Sequence, residues 1–333
     1  MIKNLSNKKV YVTGADGFIG SHLVEELVKN GAQVKSLVYY NSWNEIGWLK
    51  DIKKEILSDI EIIKGDIRDS DLIRRSIKGS DIVFHLASLI AIPYSYDAPR
   101  SYVDTNVNGA LNVLEACKDL DSLERILHVS TSETYGSAQY VPIDEKHPLV
   151  GQSPYSASKI AADKMAESYH LSFGLPIVTA RPFNTYGPRQ TARAVIPTIA
   201  AQLASGASKI NLGDLSPTRD FNYVTDTALG MISLACCEKA EGEVVNIGSG
   251  TEWSIEETFK KLCKISGKEV EIVFDKERAR PKKSEVNRLL ACNKKISRLT
   301  EWSPRYTFEE GLKETYKWID ENISLFNSAN YSK

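Results

Sequence analysis

Residues 13–20 read Thr13-Gly14-Ala15-Asp16-Gly17-Phe18-Ile19-Gly20. The stretch follows an apolar run at 10–12 and precedes a helical pattern at 21–29. In such a loop Gly14 permits a tight turn, Gly17 lets the backbone approach a pyrophosphate, and Gly20 lets the helix pack closely. The free amides and the positive dipole end of the helix N-terminus favour the phosphate anion. We therefore predict a dinucleotide site formed by Gly14, Asp16, Gly17, Phe18, Ile19 and Gly20.

Strand and helix signals alternate through the first half of the chain. Short apolar runs typical of buried parallel strands occur at 10–12, 34–39, 60–63, 82–86, 126–129 and 177–180, with a late run at 244–247. Helical patterns lie between them at 21–29, 71–77, 106–117 and 154–173. This alternation predicts an α/β fold of Rossmann type, with a doubly wound parallel sheet covered by helices on both faces.

The pattern changes after about residue 184, where short strands and helices mix and Pro and Gly become more frequent. We expect residues 1–183 to form the dinucleotide-binding domain, with a returning segment at about 220–250. Residues 184–333 are expected to form mainly a smaller, mixed α/β substrate-binding lobe that is interleaved with the first domain.

Bulk composition excludes several classes of protein. Lys and Arg total 42 against 43 Asp and Glu, so the chain lacks the basic excess that would indicate nucleic-acid binding. The five histidines have no metal-ligand spacing, and we expect no metal site. No apolar run is long enough to span a membrane, and the first residues carry no apolar signal core. The five cysteines form no C-x-x-C pair and are expected to be reduced thiols, which predicts a cytoplasmic location.

The end of the second predicted strand leaves the cofactor open. An acid there accepts the ribose 2′-hydroxyl of NAD, whereas a basic residue suits the extra phosphate of NADP. Residues 37–42 read Leu-Val-Tyr-Tyr-Asn-Ser and contain neither. The absence of Arg and Lys favours NAD, and NADP stays possible. Asp66 and Ile67, after the third strand, are expected adenine contacts, although Asp66 also suits a helix cap or a turn.

Two further motifs carry reactive side chains. Tyr155 and Lys159 lie four residues apart on one face of a predicted helix, where the ammonium would lower the pKa of the phenol and make it a usable base. The same spacing also occurs by chance as a surface pair. Residues 130–136 read STSETYG at the carboxyl end of a strand, the edge where open α/β sheets bind ligands. Without a role in catalysis, Glu133 would be a solvated loop carboxylate and Thr131 a helix cap.

In order, the motifs TGADGFIG at 13–20, HLAS at 85–88, STSETYG at 130–136, YSASK at 155–159 and RPFNTYGPRQ at 181–190 resemble the extended short-chain dehydrogenase/reductase family. The resemblance covers nearly the whole chain. It implies that Thr131, Tyr155 and Lys159 form the oxidation site, that Lys159 also holds the nicotinamide ribose, and that Asn106 supports the active-site helix. The implied cofactor-binding residues further include Leu86, Ala87, Ser88 and Asn106, and Ser88 also faces the substrate.

The residues after Thr131 indicate which sugar-nucleotide enzyme the chain resembles. In a 4,6-dehydratase, oxidation at C4 acidifies the C5 proton, a base removes it, and the C6 hydroxyl leaves. Glu133 matches that base, and simple 4-epimerases usually have small residues there. Ser132 replaces the Asp of glucose-nucleotide dehydratases, as in GDP-mannose dehydratases, which leaves the proton donor open; Glu133 could serve both steps. Retention at C5 is expected, because the C5-inverting dehydratases lack this glutamate.

A narrower resemblance joins residues 40–49 (YNSWNEIGWL) with residues 188–197 (PRQTARAVIP). Together they are similar to the 4,6-dehydratases of the bacterial legionaminic acid pathway, which act on nucleotide-linked N-acetylglucosamine. We therefore expect UDP- or GDP-N-acetylglucosamine as the substrate. The alternatives are a nucleotide-glucuronate decarboxylase, a 4-epimerase and a non-catalytic dinucleotide sensor, the last disfavoured because Tyr155 and Lys159 are both present.

The second lobe is expected to bind the nucleotide. By resemblance, Arg219 and Arg280 hold the diphosphate, for which the planar guanidinium is well suited. Candidate neighbours of the sugar, ribose or base are Asn184, Arg193, Asn211 and Glu285. Members of the family usually dimerise through the helix that carries Tyr155 and a neighbouring helix, so a homodimer is expected.

Overall fold

The chain folds around a parallel sheet in a computed structural model that describes residues 5–275 and 286–326. The strands are β1 Lys9–Thr13, β2 Gln33–Tyr39, β3 Ile60–Gly65, β4 Ile82–His85, β5 Arg125–Val129, β6 Ile177–Pro182, β7 Asn184–Tyr186, β8 Lys209–Leu212, β9 Thr218–Tyr223, β10 Val244–Ile247, β11 Glu252–Ser254, β12 Glu271–Phe274 and β13 Arg288–Leu289. Within the described residues, seven strands form the large sheet in the order β10-β6-β5-β4-β1-β2-β3, with every pair parallel. This is the Rossmann order with β10 added at one edge, and the predicted fold class is confirmed.

The helices are α1 Phe18–Lys29, α2 Lys54–Ser58, α3 Ser70–Ser76, α4 Ile92–Asp97, α5 Pro99–Tyr102, α6 Gly109–Lys118, α7 Pro154–Phe173, α8 Val195–Ala204, α9 Val224–Ala235, α10 Ile255–Ser266, α11 Lys294–Thr300 and α12 Phe308–Glu321. The helix expected from residue 106 begins at Gly109, because Val103–Asn108 adopts a π-helical turn. Helix α7 starts at a capping box formed by Ser153 and Ser156 and ends at Gly174 in the left-handed region.

Alternating strand residues build two apolar layers. Val10 and Val12 pack with α1 and α9 on one face of the sheet. Tyr11 lies between them in sequence and packs with α3, α6 and α7 on the other face. Successive strand side chains point to opposite faces, so a fully apolar strand is buried on both.

A second group of elements lies beyond β6. Strand β9 pairs with β7, β11 and β13, and α8, α10 and α12 pack together in a separate apolar cluster. Strand β10 returns to the large sheet, with α9 packed against it. From this arrangement we propose two units. Residues 1–183, with a return at about 220–250, form the dinucleotide-binding domain, and residues 184–333 form mainly the interleaved substrate-binding lobe.

Across the described ranges, none of the helices combines the length and apolar character required to cross a membrane.

Candidate active site

The glycine loop joins β1 to α1 through close backbone contacts. Gly14 adopts φ +68°, and a Cβ added there would lie 2.9 Å from the backbone nitrogen of Ala87. A Cβ on Gly20 would collide with the carbonyl oxygen of Gly14. Gly17 precedes α1 with extended backbone and donates its N–H to Gly14 O at 3.2 Å. The loop is therefore closed by its first and third glycines, while Gly17 lies at the exposed helix N-terminus, open to an anion.

Thr13 connects the glycine loop to the end of β4. Its Oγ1 accepts the backbone N–H groups of Leu86 and Ala87 at 3.1 and 3.0 Å and is hydrogen-bonded to His85 Nδ1. These bonds hold the HLAS segment across the mouth of the loop.

One cavity of about 1960 Å³ runs between the carboxyl ends of the large sheet and the second group of elements. A site for one small molecule typically measures about 300–1,000 Å³, so the cavity has room for two ligands side by side. The predicted site residues that line it are Gly14, Asp16, Gly17, Phe18, Ile19, Gly20, Asp66, Ile67, Leu86, Ala87, Ser88, Thr131, Ser132, Glu133, Tyr155, Asn184, Arg193 and Arg219.

Tyr155 lies in the first turn of α7 and is 7% exposed. Burial raises the pKa of Tyr155, a hydrogen bond with the Thr131 side chain lowers it, and the negative charge of Glu133 raises it, so that the pKa lies above its usual value. The ring packs edge-on against Tyr102, with centroids 6.2 Å apart. The pKa of Tyr155 is thus raised in the protein without cofactor, and the prediction that Lys159 lowers it is wrong.

Lys159 is buried one turn behind Tyr155 and does not line the cavity. Its Nζ donates to the carbonyl oxygen of Val129, the last residue of β5, at 2.7 Å. Burial lowers the pKa of Lys159 to about 8, and the negative charge of Asp163 opposes that shift. The side chain thus remains mostly protonated at neutral pH.

Asp163 is the residue that the sequence analysis missed. Its carboxylate accepts hydrogen bonds from His128 Nε2 at 3.1 Å, Ser130 Oγ at 2.7 Å and Arg181 Nη2 at 2.9 Å. Burial alone would raise the pKa of Asp163, but the hydrogen bond from His128 and the nearby positive charges lower it overall. The signal was present in the sequence, because Asp163 follows Lys159 by four residues and so shares the helix face of Tyr155 and Lys159.

Glu133 lies in a short 3₁₀ turn, Ser132–Tyr135, that follows β5. Thr131 caps the turn by accepting the N–H of Glu133 at 3.2 Å. The turn is fixed beneath by Tyr135, whose hydroxyl donates to Asn246 Oδ1 and whose ring stacks on the Arg181 guanidinium. Glu133 is half-buried and lines the cavity that Tyr155 faces, so the structure brings the two side chains together.

Three predicted substrate residues reach the cavity from the second lobe. Arg219 is 7% exposed, and its Nη1 donates to Thr218 O at 2.9 Å. Arg193 is exposed at the rim. Asn184 Oδ1 is buried and accepts no hydrogen bond from the described protein atoms. A buried acceptor without a partner is costly, so Asn184 suits a donor supplied by a ligand.

Besides Lys159, two predicted residues lie away from the cavity. Asn211 is exposed on β8, because strand side chains alternate and the neighbouring Leu212 faces inward. Asn106 is 1% exposed, and its side chain bonds to the backbone of Leu89 and to Ser158 Oγ in α7. It therefore supports the helix of Tyr155 and has no cavity-facing atom to offer a cofactor.

Arg280 and Glu285, also predicted to contact the substrate, lie outside the described residues.

Comparison with known proteins agrees with this geometry. The family model described as GDP-mannose 4,6 dehydratase matches residues 11–315. A dTDP-glucose 4,6-dehydratase from Actinoplanes sp. is 32% identical over 324 residues, covering 95% of this chain and 99% of that protein. A UDP-N-acetyl-alpha-D-glucosaminuronate decarboxylase from Bacillus cytotoxicus is 31% identical over 326 residues, covering 94% and 98% of the two chains.

A crystal structure of a UDP-glucuronic acid 4-epimerase variant from Bacillus cereus, in complex with a fluorinated UDP-glucuronic acid and NAD, superposes with a TM-score of 0.86. The two sequences are 30% identical, and the match covers 94% of this chain and 99% of the epimerase. These relatives catalyse different reactions, but each acts on a sugar nucleotide. The chain belongs to the GDP-mannose 4,6-dehydratase family, among the extended short-chain dehydrogenases/reductases.

Proposed function

We propose that the protein is an NAD-dependent 4,6-dehydratase that converts UDP- or GDP-N-acetylglucosamine to the 4-keto-6-deoxy sugar nucleotide, with retention at C5. The observation that carries the proposal is that Tyr155 and Glu133 line the same cavity and lie close enough for the Glu133 charge to raise the pKa of Tyr155. A phenol and a carboxylate on neighbouring elements suit proton removal from the C4 hydroxyl and from the adjacent C5 of a hexose. A 4-epimerase needs only the first of these groups.

The first step removes the hydroxyl proton and the hydride of C4. Tyr155 takes the proton from the C4 hydroxyl, and Thr131 is hydrogen-bonded to Tyr155 in position to hold that hydroxyl. NAD, when bound, would supply the acceptor and later the donor of the hydride, and its positive charge would favour the phenolate. Lys159 would hold the nicotinamide ribose from behind the tyrosine, since its ammonium bonds to Val129 O and not to the phenol.

The second step eliminates water. Oxidation at C4 acidifies the C5 proton, which Glu133 removes. We propose that the protonated Glu133 then delivers this proton to the C6 hydroxyl as it leaves, because Ser132 is a far weaker acid. NAD, when bound, would return the hydride to C6. Glu133 passes a proton from water to C5 on the same face, and Tyr155 releases the C4 hydroxyl proton to solvent. The product therefore differs from the substrate by one water and carries a solvent-derived hydrogen at C5.

Residues on both sides of the cavity fit the two ligands. The glycine loop and the N-terminus of α1 suit the pyrophosphate of NAD, with Asp66, Ile67, Leu86 and Ala87 lining the same half of the cavity. Arg219 and Arg193 suit the diphosphate of the sugar nucleotide. The unpartnered Asn184 Oδ1 suits a hydroxyl or amide N–H of the substrate.

The alternatives are a glucuronate decarboxylase and a 4-epimerase, because relatives of all three kinds are 30–32% identical to this chain. One experiment separates them: incubation in deuterated water with a panel of UDP- and GDP-linked hexoses, N-acetylhexosamines and uronates, followed by mass spectrometry and NMR. We expect a mass loss of one water and deuterium at C5 with an N-acetylglucosamine nucleotide. Release of carbon dioxide from a uronate, or an isomer of unchanged mass, would replace this proposal by one of its rivals.

The cytoplasmic location and the homodimer formed through α7 and a neighbouring helix stay predictions. Light scattering on the purified protein measures the mass in solution, and a monomeric mass would contradict the dimer.

A further inference from the structure

The adenosine end of the cavity has no acid at the expected place. Strand β2 ends at Tyr39, and the following residues 40–42 are Tyr, Asn and Ser. In dinucleotide sites of this fold, a carboxylate at the end of that strand accepts the ribose 2′-hydroxyl and selects NAD. The sequence of β2 therefore leaves the choice of cofactor undetermined.

The structure places a carboxylate there from another segment. Asp16, between the first two glycines of the loop, accepts the backbone N–H of Tyr39 through Oδ2 at 3.1 Å. Tyr39 is the last residue of β2, so the Asp16 carboxylate lies at the strand end where the ribose acid is expected. Asp16 is half-buried and lines the cavity.

The segment after β2 holds Asp16 in place. Trp48 donates its backbone N–H to Asp16 O at 3.0 Å. Gly47 adopts φ +55°, and a Cβ added there would lie 2.5 Å from Asp16 O and 2.8 Å from Asp16 Cβ. Glycine at position 47 is thus required for the segment to close over Asp16. The segment holds the Asp16 backbone, and the Tyr39 N–H holds its carboxylate.

The positive charges nearby do not neutralise Asp16. Arg68 is paired with Asp66: its Nε donates to the two carboxylate oxygens at 2.9 and 3.0 Å. Lys64 bonds to Asn44. Lys50 lines the cavity, but its side chain is exposed to solvent.

We propose that Asp16 takes the role of the missing strand-end acid: it accepts the 2′-hydroxyl of the adenosine ribose and repels the 2′-phosphate of NADP. The inference rests on the proposed dinucleotide site and adds the residue that selects NAD. A fixed carboxylate facing a phosphate in a half-buried site is expected to weaken NADP binding about 100-fold or more relative to NAD.

The test is a binding measurement that needs no substrate. Full-length protein freed of copurified nucleotide is titrated with NAD⁺ and with NADP⁺ by calorimetry, and nucleotide released from untreated protein is identified by mass spectrometry. Wild type is expected to prefer NAD⁺ about 100-fold and to release NAD. Asp16→Asn keeps the shape and removes the charge, so the preference should fall to about tenfold or less, mainly through tighter NADP⁺ binding.

Two further variants make the result decisive. Asp16→Ser keeps an acceptor for the Tyr39 N–H without a charge, and it serves if the Asn variant folds poorly. Asp71→Asn removes the same unit charge from an exposed position in α3 that does not line the cavity, and it should keep the wild-type ratio.

The possible failures are distinguishable. Equal binding of both dinucleotides by wild type, or an unchanged preference in the two Asp16 variants, overturns the role of Asp16 and leaves the proposed function standing. Failure of wild type to bind either dinucleotide overturns the proposed function itself, and this inference with it.

Discussion

The Asp163 carboxylate lies 2.9 Å from the Arg181 guanidinium, and both side chains are about 5% exposed beneath the active site. Asp163 belongs to α7, four residues after Lys159, whereas Arg181 belongs to β6 and stacks on Tyr135 of the turn that carries Glu133. The pair therefore joins the helix of Tyr155 to the turn of Glu133. The relative position of the two proposed bases depends on this buried ion pair.

Asp163→Asn is expected to destabilise the protein by about 3–5 kcal/mol, because it leaves the Arg181 charge buried without its partner. Thermal or denaturant unfolding measures the loss. Ser130→Ala removes one donor to the same carboxylate and should cost only about 1 kcal/mol. Equal stability of the two variants would contradict the role of the ion pair.

Activity should decline as the pH rises through about 8, since burial lowers the pKa of Lys159 to about 8. The sign follows from the charge: the ammonium is present below this pH and lost above it. The pH dependence of kcat/KM measures the decline. Asp163→Asn removes a charge that raises the pKa of Lys159, so the alkaline limb should move to lower pH. A limb that stays in place in that variant would argue against Lys159 as its source.

Gly20→Ala should destabilise the fold by about 2–3 kcal/mol, because the added Cβ collides with the Gly14 carbonyl. Gly17→Ala is the matched control, since its Cβ would meet only Gly14 O, at 3.3 Å. We expect it to unfold near the wild-type temperature but to bind dinucleotide more weakly. A stable Gly20→Ala protein would show that the loop adapts to the extra methyl group.

Tyr155→Phe is expected to lose roughly 100-fold or more in turnover, the usual scale for a positioned general base. Tyr102→Phe removes a hydroxyl from the ring that packs against Tyr155 and should lose far less, because Tyr102 does not line the cavity. Steady-state rates with a sugar nucleotide that wild type converts provide the comparison. Similar losses in both variants would indicate a packing role for Tyr155.

The sequence was sufficient to predict the sheet, because short apolar strands such as β1 and β4 can be recognised without knowing which strands they pair with. It was also sufficient to align Tyr155 with Lys159, since helix periodicity fixes their shared face. It did not locate the contacts that cross between elements. Asp163 meets Arg181, and Asp16 meets Tyr39 N, only after the chain has folded.

Two errors have the same origin. Asn211 was expected at the substrate, but the register of β8 turns it outward and Leu212 inward. Lys159 was expected to lower the pKa of Tyr155, but its ammonium is directed to Val129 O at the end of β5. A motif gives the spacing of side chains along one element, whereas their partners are set by packing between elements.

The most direct measurement of the central claim is the absorbance of reduced cofactor in Glu133→Gln, mixed in single-turnover amounts with the sugar nucleotide that wild type dehydrates. Glu61→Gln, exposed on β3, serves as the control. We predict that Glu133→Gln oxidises C4, accumulates NADH and releases no dehydrated product, whereas the control completes the cycle. Full dehydration by Glu133→Gln at the rate of wild type would contradict the assignment of Glu133 as the C5 base.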